Sequence, residues 1–400
     1  MIEPNPSAAP RCLHFGTCGG CQYQDLAYPE QLRIKRARLK DLLQQSNIDV
    51  PGDISVHSAE PYAYRNRIRL RVKLVDGIEA VEGKLHLGYN IRATTEFLAI
   101  SMCPIAASIL IETAKALIST AEYNRDVAYW LNATSEVELF CNHDLTRVQV
   151  TLFCAPRTKT PAPSQTGNFT NAFAYLQNNL PQITGAAAVA FDPRSGLTGR
   201  TLAEAGSSGL NYRVRVSPEH DETYWITRGG FFQVNRFLLE TLVQLVTTVT
   251  EKPRSGALAW DLYAGVGLFS RVLACSFDRI TAVEANPTAA ADLRSSLSKL
   301  NLGNTAVEST TLDFLRGAAL DRDRPDLIVL DPPRAGVGPE ACEWLNRIAA
   351  PSMVYVSCDP ASLTRDLTTL QPQYRVSALH LVDLFPQTTH LETVALLERT

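Results

Sequence analysis

No stretch of the 400-residue sequence approaches the roughly 18 consecutive apolar residues of a membrane-spanning helix. The opening residues carry an early acid, Glu3, and several prolines, without the apolar core that a signal peptide requires. A cytoplasmic chain with no membrane partner is therefore expected. Excess positive charge is missing as well: 38 Lys and Arg against 41 Asp and Glu give a net charge of −3 and an isoelectric point near 6.2. That excludes a protein that coats nucleic acid indiscriminately, because nonspecific affinity comes from neutralising phosphates. An internal repeat is also absent, as is the lysine that closes a nucleoside-triphosphate loop.

At 45% hydrophobic and 20% charged, the chain is an ordinary globular one, long enough for two or three domains. Its positive charge is concentrated early, with eleven Lys or Arg against six Asp or Glu between Arg11 and Lys73. PEQLRIKRARLKDLLQQSNI has leucines near helical spacing and predicts a basic amphipathic helix of about four turns with a positive outer face. YRNRIRLRVKLV alternates with period two. It should bury Ile68, Leu70, Val72 and Leu74 while aiming Arg65, Arg67, Arg69, Arg71 and Lys73 outward. Three regions are expected: 1–104, a central α+β, mostly antiparallel unit over 105–215 interrupted by the Pro/Ser/Thr-rich loop at 155–168, and 216–400.

From residue 231 helix and strand alternate. A helix is expected over about 235–251, followed by strands in ALAWDLY, ITAVEA, TAVES, DLIVLD, MVYVSC, ALHLVDLF and TVALLE. This order predicts an α/β, largely parallel twisted sheet, the last two strands forming an antiparallel hairpin at its end. Ligands of such sheets bind outside the carboxyl ends of the strands. There the chain places DLYAGVG with Gly265 and Gly267, then Glu284, Asp313 and DPPR. Ser270 stands where a nicotinamide fingerprint needs a third glycine. Glu284 suits a pair of ribose hydroxyls and Asp313 an adenine amino group, so a nucleoside without phosphates fits best. S-adenosylmethionine is such a ligand, and the arrangement resembles class I (Rossmann-like) methyltransferases.

SCDP and HLET fall at neighbouring strand ends, with prolines holding the loops around a slot that suits a flipped base. Carbon 5 of uracil becomes nucleophilic only when something adds to carbon 6, and a thiolate adds and leaves readily. Cys358 is the candidate nucleophile and Glu392 the base that removes the carbon 5 proton. Cys141, Cys154, Cys275 and Cys342 read as packed thiols.

FFQVN, DLYAGVG, DPPR, SCDP and HLET, in this order, resemble the RNA uracil-C5 methyltransferase family over nearly the whole chain. The resemblance implies methyl-donor contacts from Gln233, Tyr263, Glu284, Asp313 and Asp331, with Cys358 as nucleophile and Glu392 as base. It also implies an RNA substrate, 23S rRNA ahead of transfer RNA, and a protein acting as a monomer. The chain departs from the family pattern at Leu268 and in the TRGG before FFQVN, and no TRAM-type barrel is expected before the cysteine cluster. Rival readings are methylation of a base amino group and a non-catalytic RNA-binding factor.

Cys12, Cys18 and Cys21, with Cys103 before a proline, supply four ligands for zinc or an iron–sulfur cluster; spacing alone does not separate the two. The resemblance favours a [4Fe-4S] cluster. Arg65, Arg67, Arg69, Arg71 and Lys73 are the RNA-backbone candidates, followed by the helix from Arg33 to Lys40.

Overall fold

Two sheets organise the chain in the computed structural model, which describes residues 7–75, 84–154, 166–191, 198–217, 219–249, 252–300, 303–318 and 324–400. The first has eight strands. In spatial order they are Ser55–His57, Tyr374–Val382, Glu392–Arg399, Ser352–Ser357, Leu327–Leu330, Gly256–Leu262, Phe277–Glu284 and Thr305–Glu308. All neighbours run parallel except Glu392–Arg399, which is antiparallel to both of its partners. The inner strands are buried on both faces, as the unbroken LIVL of Leu327–Leu330 illustrates. Helices start where capping chemistry allows: Asn286 accepts from the Thr288 and Ala289 amides ahead of Pro287.

All seven strands read from the sequence after residue 255 are present, and the last two pair antiparallel. They do not end the sheet, however. Glu392–Arg399 is inserted beside Ser352–Ser357, and the outer edge of Tyr374–Val382 is covered by Ser55–His57 from the amino-terminal region. The helix expected over about 235–251 is shorter, Leu239–Thr247. The Asn235 carboxamide oxygen accepts from the Phe237 and Leu238 amides just ahead of it.

The second sheet has seven strands in the order Phe97–Ala99, Lys84–Asn90, Arg67–Val75, Thr134–Cys141, Val148–Cys154, Ile183–Phe191 and Thr198–Gly206. It is antiparallel except between Val148–Cys154 and Ile183–Phe191. A separate hairpin, Gly209–Ser217 with His220–Thr227, leads back toward the first sheet. The expected loop at 155–168 lies outside the described residues as far as 165, after which Thr166–Asn179 is a helix. Residue 104 does not divide the molecule in space. Strands on either side of it share the second sheet, whereas Leu39, Leu43, Ile48 and Ile54 pack into the core of the first with Leu258 and Leu345.

The amino-terminal helix spans Tyr28–Gln45. Arg33, Arg38 and Lys40 are exposed on it, but Lys35, expected on the positive outer face, is not. Lys35 is 1% exposed and its Nζ lies 2.6 Å from Asp383 Oδ1, a carboxylate that is itself 0% exposed. Nζ also donates to the Phe385 carbonyl at 2.9 Å, and the Tyr28 hydroxyl donates to Asp383 Oδ2 at 2.9 Å. No helix among the described residues is long and apolar enough to cross a membrane.

Removing one member of this pair strands the other charge in the interior. Asp383→Ala is expected to cost about 3–5 kcal/mol in denaturant unfolding at unchanged m. Lys35→Met combined with Asp383→Leu should cost less than either single change.

Candidate active site

Cys358 follows the last residue of Ser352–Ser357, and Glu392 opens its antiparallel neighbour. Ser357 is paired with Thr393, so one further step along this register sets Cys358 opposite Glu392. The two residues after the cysteine begin a helix. Asp359 caps Pro360–Leu370 by accepting from the Ser362 amide at 2.8 Å, and Pro360 takes the first helical position. Ser357 Oγ donates to the Asp359 carbonyl at 3.0 Å, closing the turn around the thiol. An acid and a proline after a buried strand are thus helix-starting chemistry that holds the sulfur at the sheet's edge.

Asp331 ends the next strand over. Gln233 Nε2 donates to Asp331 Oδ2 at 3.2 Å, which ties FFQVN to DPPR. Burial pushes the Asp261 carboxyl up to about 7, against the Ser270 hydroxyl that donates to its Oδ2 at 2.5 Å. Asp331 is also shifted upward, by desolvation and then by the nearby Asp261 charge. Glu392 is buried and held well above the usual carboxylate range by desolvation, with Asp331 adding to it. The Cys358 thiol is pushed up to about 11 by burial, then by Glu392 and Asp331, while Arg334 opposes them. Cys358, Glu392 and Asp331 therefore form one electrostatic unit. Arg334 belongs to it too, although only its place in DPPR hinted at a role.

On the donor side the chain turns sharply after Gly256–Leu262. Tyr263, Gly265 and Gly267 have φ of 65°, 58° and 89°, the left-handed region that glycine enters without strain. A Cβ on Gly265 would meet nothing within 4 Å, leaving its backbone open to a ligand. The Glu284 carboxylate accepts from the Gly265 amide at 2.8 Å and the Asn286 amide at 2.6 Å. Buried Asp261 Oδ1 has no hydrogen-bond partner. Tyr263 is half-buried and bonds to Thr311. Open glycines, a carboxylate at the second strand end and an orphan buried acceptor are a donor set that fits a nucleoside-bearing methyl donor.

Asp313 lies on the loop and helix start that meet this group through the Tyr263–Thr311 bond and the Ser309 amide, which donates to the Glu284 carbonyl at 3.1 Å. It is exposed in the first turn of Thr311–Ala318, where Thr310 Oγ1 donates to it at 2.7 Å and Arg316 lies 3.3 Å away. Its visible role is to start a helix.

The four amino-terminal thiols are all partly exposed. Burial raises the Cys18 and Cys103 thiols and takes Cys21 up to about 11, with Cys103, Cys12 and Cys18 adding to the shift at Cys21. The Gly20 amide donates to Cys18 Sγ at 3.5 Å, and the Ala106 and Ile105 amides and the Tyr89 hydroxyl favour the Cys103 thiolate. Among the described residues no three of these sulfurs lie within 4.8 Å of one another; the trio that does meet that spacing is His220, Glu222 and Cys275. Glu222 is already held by Arg271 at 2.5 Å. Cys141, Cys154 and Cys342 are buried as expected, but Cys275 is exposed, because it lies in the turn beyond the short helix Leu268–Leu273.

The arginine strand is Arg67–Val75, and its alternation holds through Ile68, Leu70 and Val72, while Leu74 is exposed. Its cations are less free than the pattern suggests. Arg69 lies 2.5 Å from Glu136 and over the Phe153 ring, and Arg67 is 3.6 Å from Glu138 and over Phe140. Arg71 donates to Asn90 Oδ1 and the Thr95 carbonyl, and Lys73 is exposed. Arg65 precedes the strand, and its buried Nε has no hydrogen-bond partner.

The fold is that of a class I methyltransferase domain. Residues 210–400 match the family model described as tRNA (Uracil-5-)-methyltransferase. A 23S rRNA (uracil(1939)-C(5))-methyltransferase RlmD of Shewanella sediminis is 28% identical, over 99% of this chain and 83% of that protein. Its counterpart in Chromohalobacter salexigens is 29% identical over 98% of this chain and 76% of that protein. The crystal structure of Pyrococcus abyssi tRNA (uracil-54, C5)-methyltransferase with S-adenosyl-L-homocysteine shares the fold, with a TM-score of 0.68 and 23% identity over 96% of this chain and 86% of that one. Over residues 210–400 by the family model, and over nearly its whole length by these relatives, the chain is similar to RNA uracil-C5 methyltransferases.

A thiol titrating near 11 is mostly protonated at neutral pH. Alkylation of Cys358 by iodoacetamide in the ligand-free protein, followed by peptide mass mapping, should accelerate about tenfold per unit between about pH 7 and pH 9. Arg334→Ala should slow it at fixed pH by removing the cation that favours the thiolate. A plateau below about pH 8 would contradict this electrostatic picture.

Proposed function

We propose that the enzyme methylates a uridine of 23S rRNA through a transient covalent bond to Cys358, with Glu392 as the base. The observation that carries this is the register that sets Cys358 opposite Glu392. Cys358 loses its proton to solvent, the thiolate Sγ bonds to carbon 6, and the electron pair of the carbon 5–carbon 6 double bond becomes available at carbon 5. S-adenosylmethionine would be held among Gln233, Tyr263, Gly265, Gly267, Glu284, Asp313 and Asp331 and would supply an electrophilic methyl group to carbon 5, its sulfonium leaving as the neutral thioether. Glu392 then takes the carbon 5 proton, the ring double bond returns and the sulfur–carbon bond breaks. A buried carboxyl of raised affinity for protons suits this acceptor role.

The choice of 23S rRNA is supported by the RlmD relatives, which this chain matches over 98–99% of its length. On the RNA side, Lys73 and the exposed Arg38 and Lys40 are the better phosphate contacts, since Glu30, Glu138 and Glu136 already meet Arg33, Arg67 and Arg69. A [4Fe-4S] cluster on Cys12, Cys18, Cys21 and Cys103 is the reading the family resemblance favours, and the Cys12, Cys18 and Cys103 sulfurs all lie near enough to Cys21 to raise its proton affinity. Amide and hydroxyl donors to the sulfurs suit the charge of a cluster.

RNA containing 5-fluorouridine at the target should trap wild type as a denaturant-resistant complex and leave Cys358→Ala untrapped, because fluorine cannot leave as a proton does. With ordinary RNA, Glu392→Gln should accumulate the methylated complex. Trapping of Cys358→Ala would refute the assignment of the nucleophile.

Anaerobically purified protein should contain about four irons per chain with thiolate-to-iron absorption, lost in Cys103→Ser. One zinc and no iron would overturn the cluster assignment.

A further inference from the structure

The segment 383–391 joins the last two strands and delivers the chain to Glu392. It has no helix or strand, yet Asp383, Leu384, Gln387, Thr388 and Leu391 are buried. What fixes its middle comes from the residues beside the cysteine cluster. The Gln387 carbonyl accepts from the Gln22 amide at 2.9 Å and the Tyr23 amide at 3.0 Å. Gln31 closes the other side: its Oε1 accepts from the Gln387 amide at 3.0 Å, and its Nε2 donates to Gln387 Oε1 at 3.0 Å. The Thr389 amide donates to Gln22 Oε1 at 3.3 Å. Gln387 is held at φ 68°, a left-handed conformation that persists in a non-glycine residue only where its surroundings over-determine it. Gln22 is the residue next to Cys21.

We infer that Gln22, Gln31 and Gln387 form a positioning clamp through which the ligated state of the cysteine cluster governs how Glu392 is presented to carbon 5. This rests on the reading of Glu392 as the base. Cys358 hangs on a different support, the Ser352–Ser357 strand and the helix Pro360–Leu370, and no bond of the clamp reaches either. Loosening the clamp therefore retards proton removal while leaving addition of the sulfur intact. Gln22, Gln31 and Gln387 are positioning residues, acting through the carboxylate.

The test compares wild type, Gln31→Ala, Gln387→Gly and the double variant, with iron content, thermal midpoint and S-adenosylmethionine affinity measured on each. Glycine adopts the φ of position 387 freely, so Gln387→Gly removes the side-chain pair without adding strain. With ordinary RNA, each variant should lose about tenfold to a hundredfold in kcat, accumulate the methylated protein–RNA complex and show a larger isotope effect on RNA carrying 5-deuterated uridine. The double variant should fall within about twofold of Gln31→Ala, because that change already deletes the one Gln387 side-chain bond together with those to the Gln387 amide and the Tyr23 and Leu26 carbonyls.

Independently of activity, chelation of the metal should speed hydrogen exchange at the Gln22, Tyr23, Gln387 and Thr389 amides by about tenfold or more, while the Ser352–Ser357 strand stays protected. Unchanged adduct levels and isotope effects, or clamp amides that keep their protection after metal removal, would overturn the inference. Failure of wild type to be trapped by 5-fluorouridine RNA would instead overturn the Cys358–Glu392 reading beneath it.

Discussion

A single reversal of strand direction makes the chemistry possible. In a purely parallel sheet the binding edge collects only carboxyl ends, so a residue at the start of a strand faces the far side. Glu392–Arg399 runs the other way between Ser352–Ser357 and Tyr374–Val382, and its first residue arrives at the edge where Cys358 leaves. The pairing of Ser357 with Thr393 sets Cys358 and Glu392 face to face, and a slip of one residue would turn every side chain of the strand over. Ten buried side chains on the two strands resist such a slip, among them Met353, Val354, Tyr355, Val394, Ala395 and Leu397.

Electrostatically, the edge gathers more acid than an interior tolerates in ionised form. Asp261, Asp331, Glu392 and the Cys358 thiol all hold their protons more tightly than usual, for the common reason that desolvation penalises the charged form. Raised carboxyl affinities mean that their burial is best tolerated at low pH and becomes more costly as pH climbs through the raised values. Arg334 is the cation that works against the trend at Cys358. A cavity of this kind favours a positively charged occupant, and a sulfonium brings that charge together with the group to be transferred.

Much of this arrangement was legible because parallel strands buried on both faces leave unbroken apolar runs, and because the polar motifs interrupt those runs at their carboxyl ends. Long-range pairing left no such trace. Lys35 looks like any other cation on an amphipathic helix, and its partner Asp383 lies 348 residues away. Ser55–His57 is too short to show a period, and the glutamates that engage Arg67 and Arg69 come from a strand whose register cannot be read from alternation alone. Cys275 sits in a helical pattern that ends two residues earlier than its spacing suggests. Asp313 was readable in another way: Thr310 and Asp313 are spaced as a capping box, a local signal that competed with the ligand role.

The two sheets are stitched together by a short stretch that also carries the donor pocket. The Asn66 amide donates to the Val234 carbonyl, its Nδ2 donates to the Gln233 carbonyl and the Tyr212 hydroxyl is within 3.1 Å, while the Arg236 amide donates to the Tyr64 carbonyl. Gln233 thus reaches Asp331 with its side chain while its backbone is anchored to the first residues of the arginine-rich strand region. Asn235 extends the same seam, donating to the Leu384 carbonyl at 3.0 Å in the segment that leads to Glu392. Three parts of the chain far apart in sequence converge on this seam, so a displacement of the second sheet moves Gln233 and the segment before Glu392 together. An amino-terminal half bound in this manner is a component of the active site's framework, and an RNA held on its surface is held in fixed relation to the thiol.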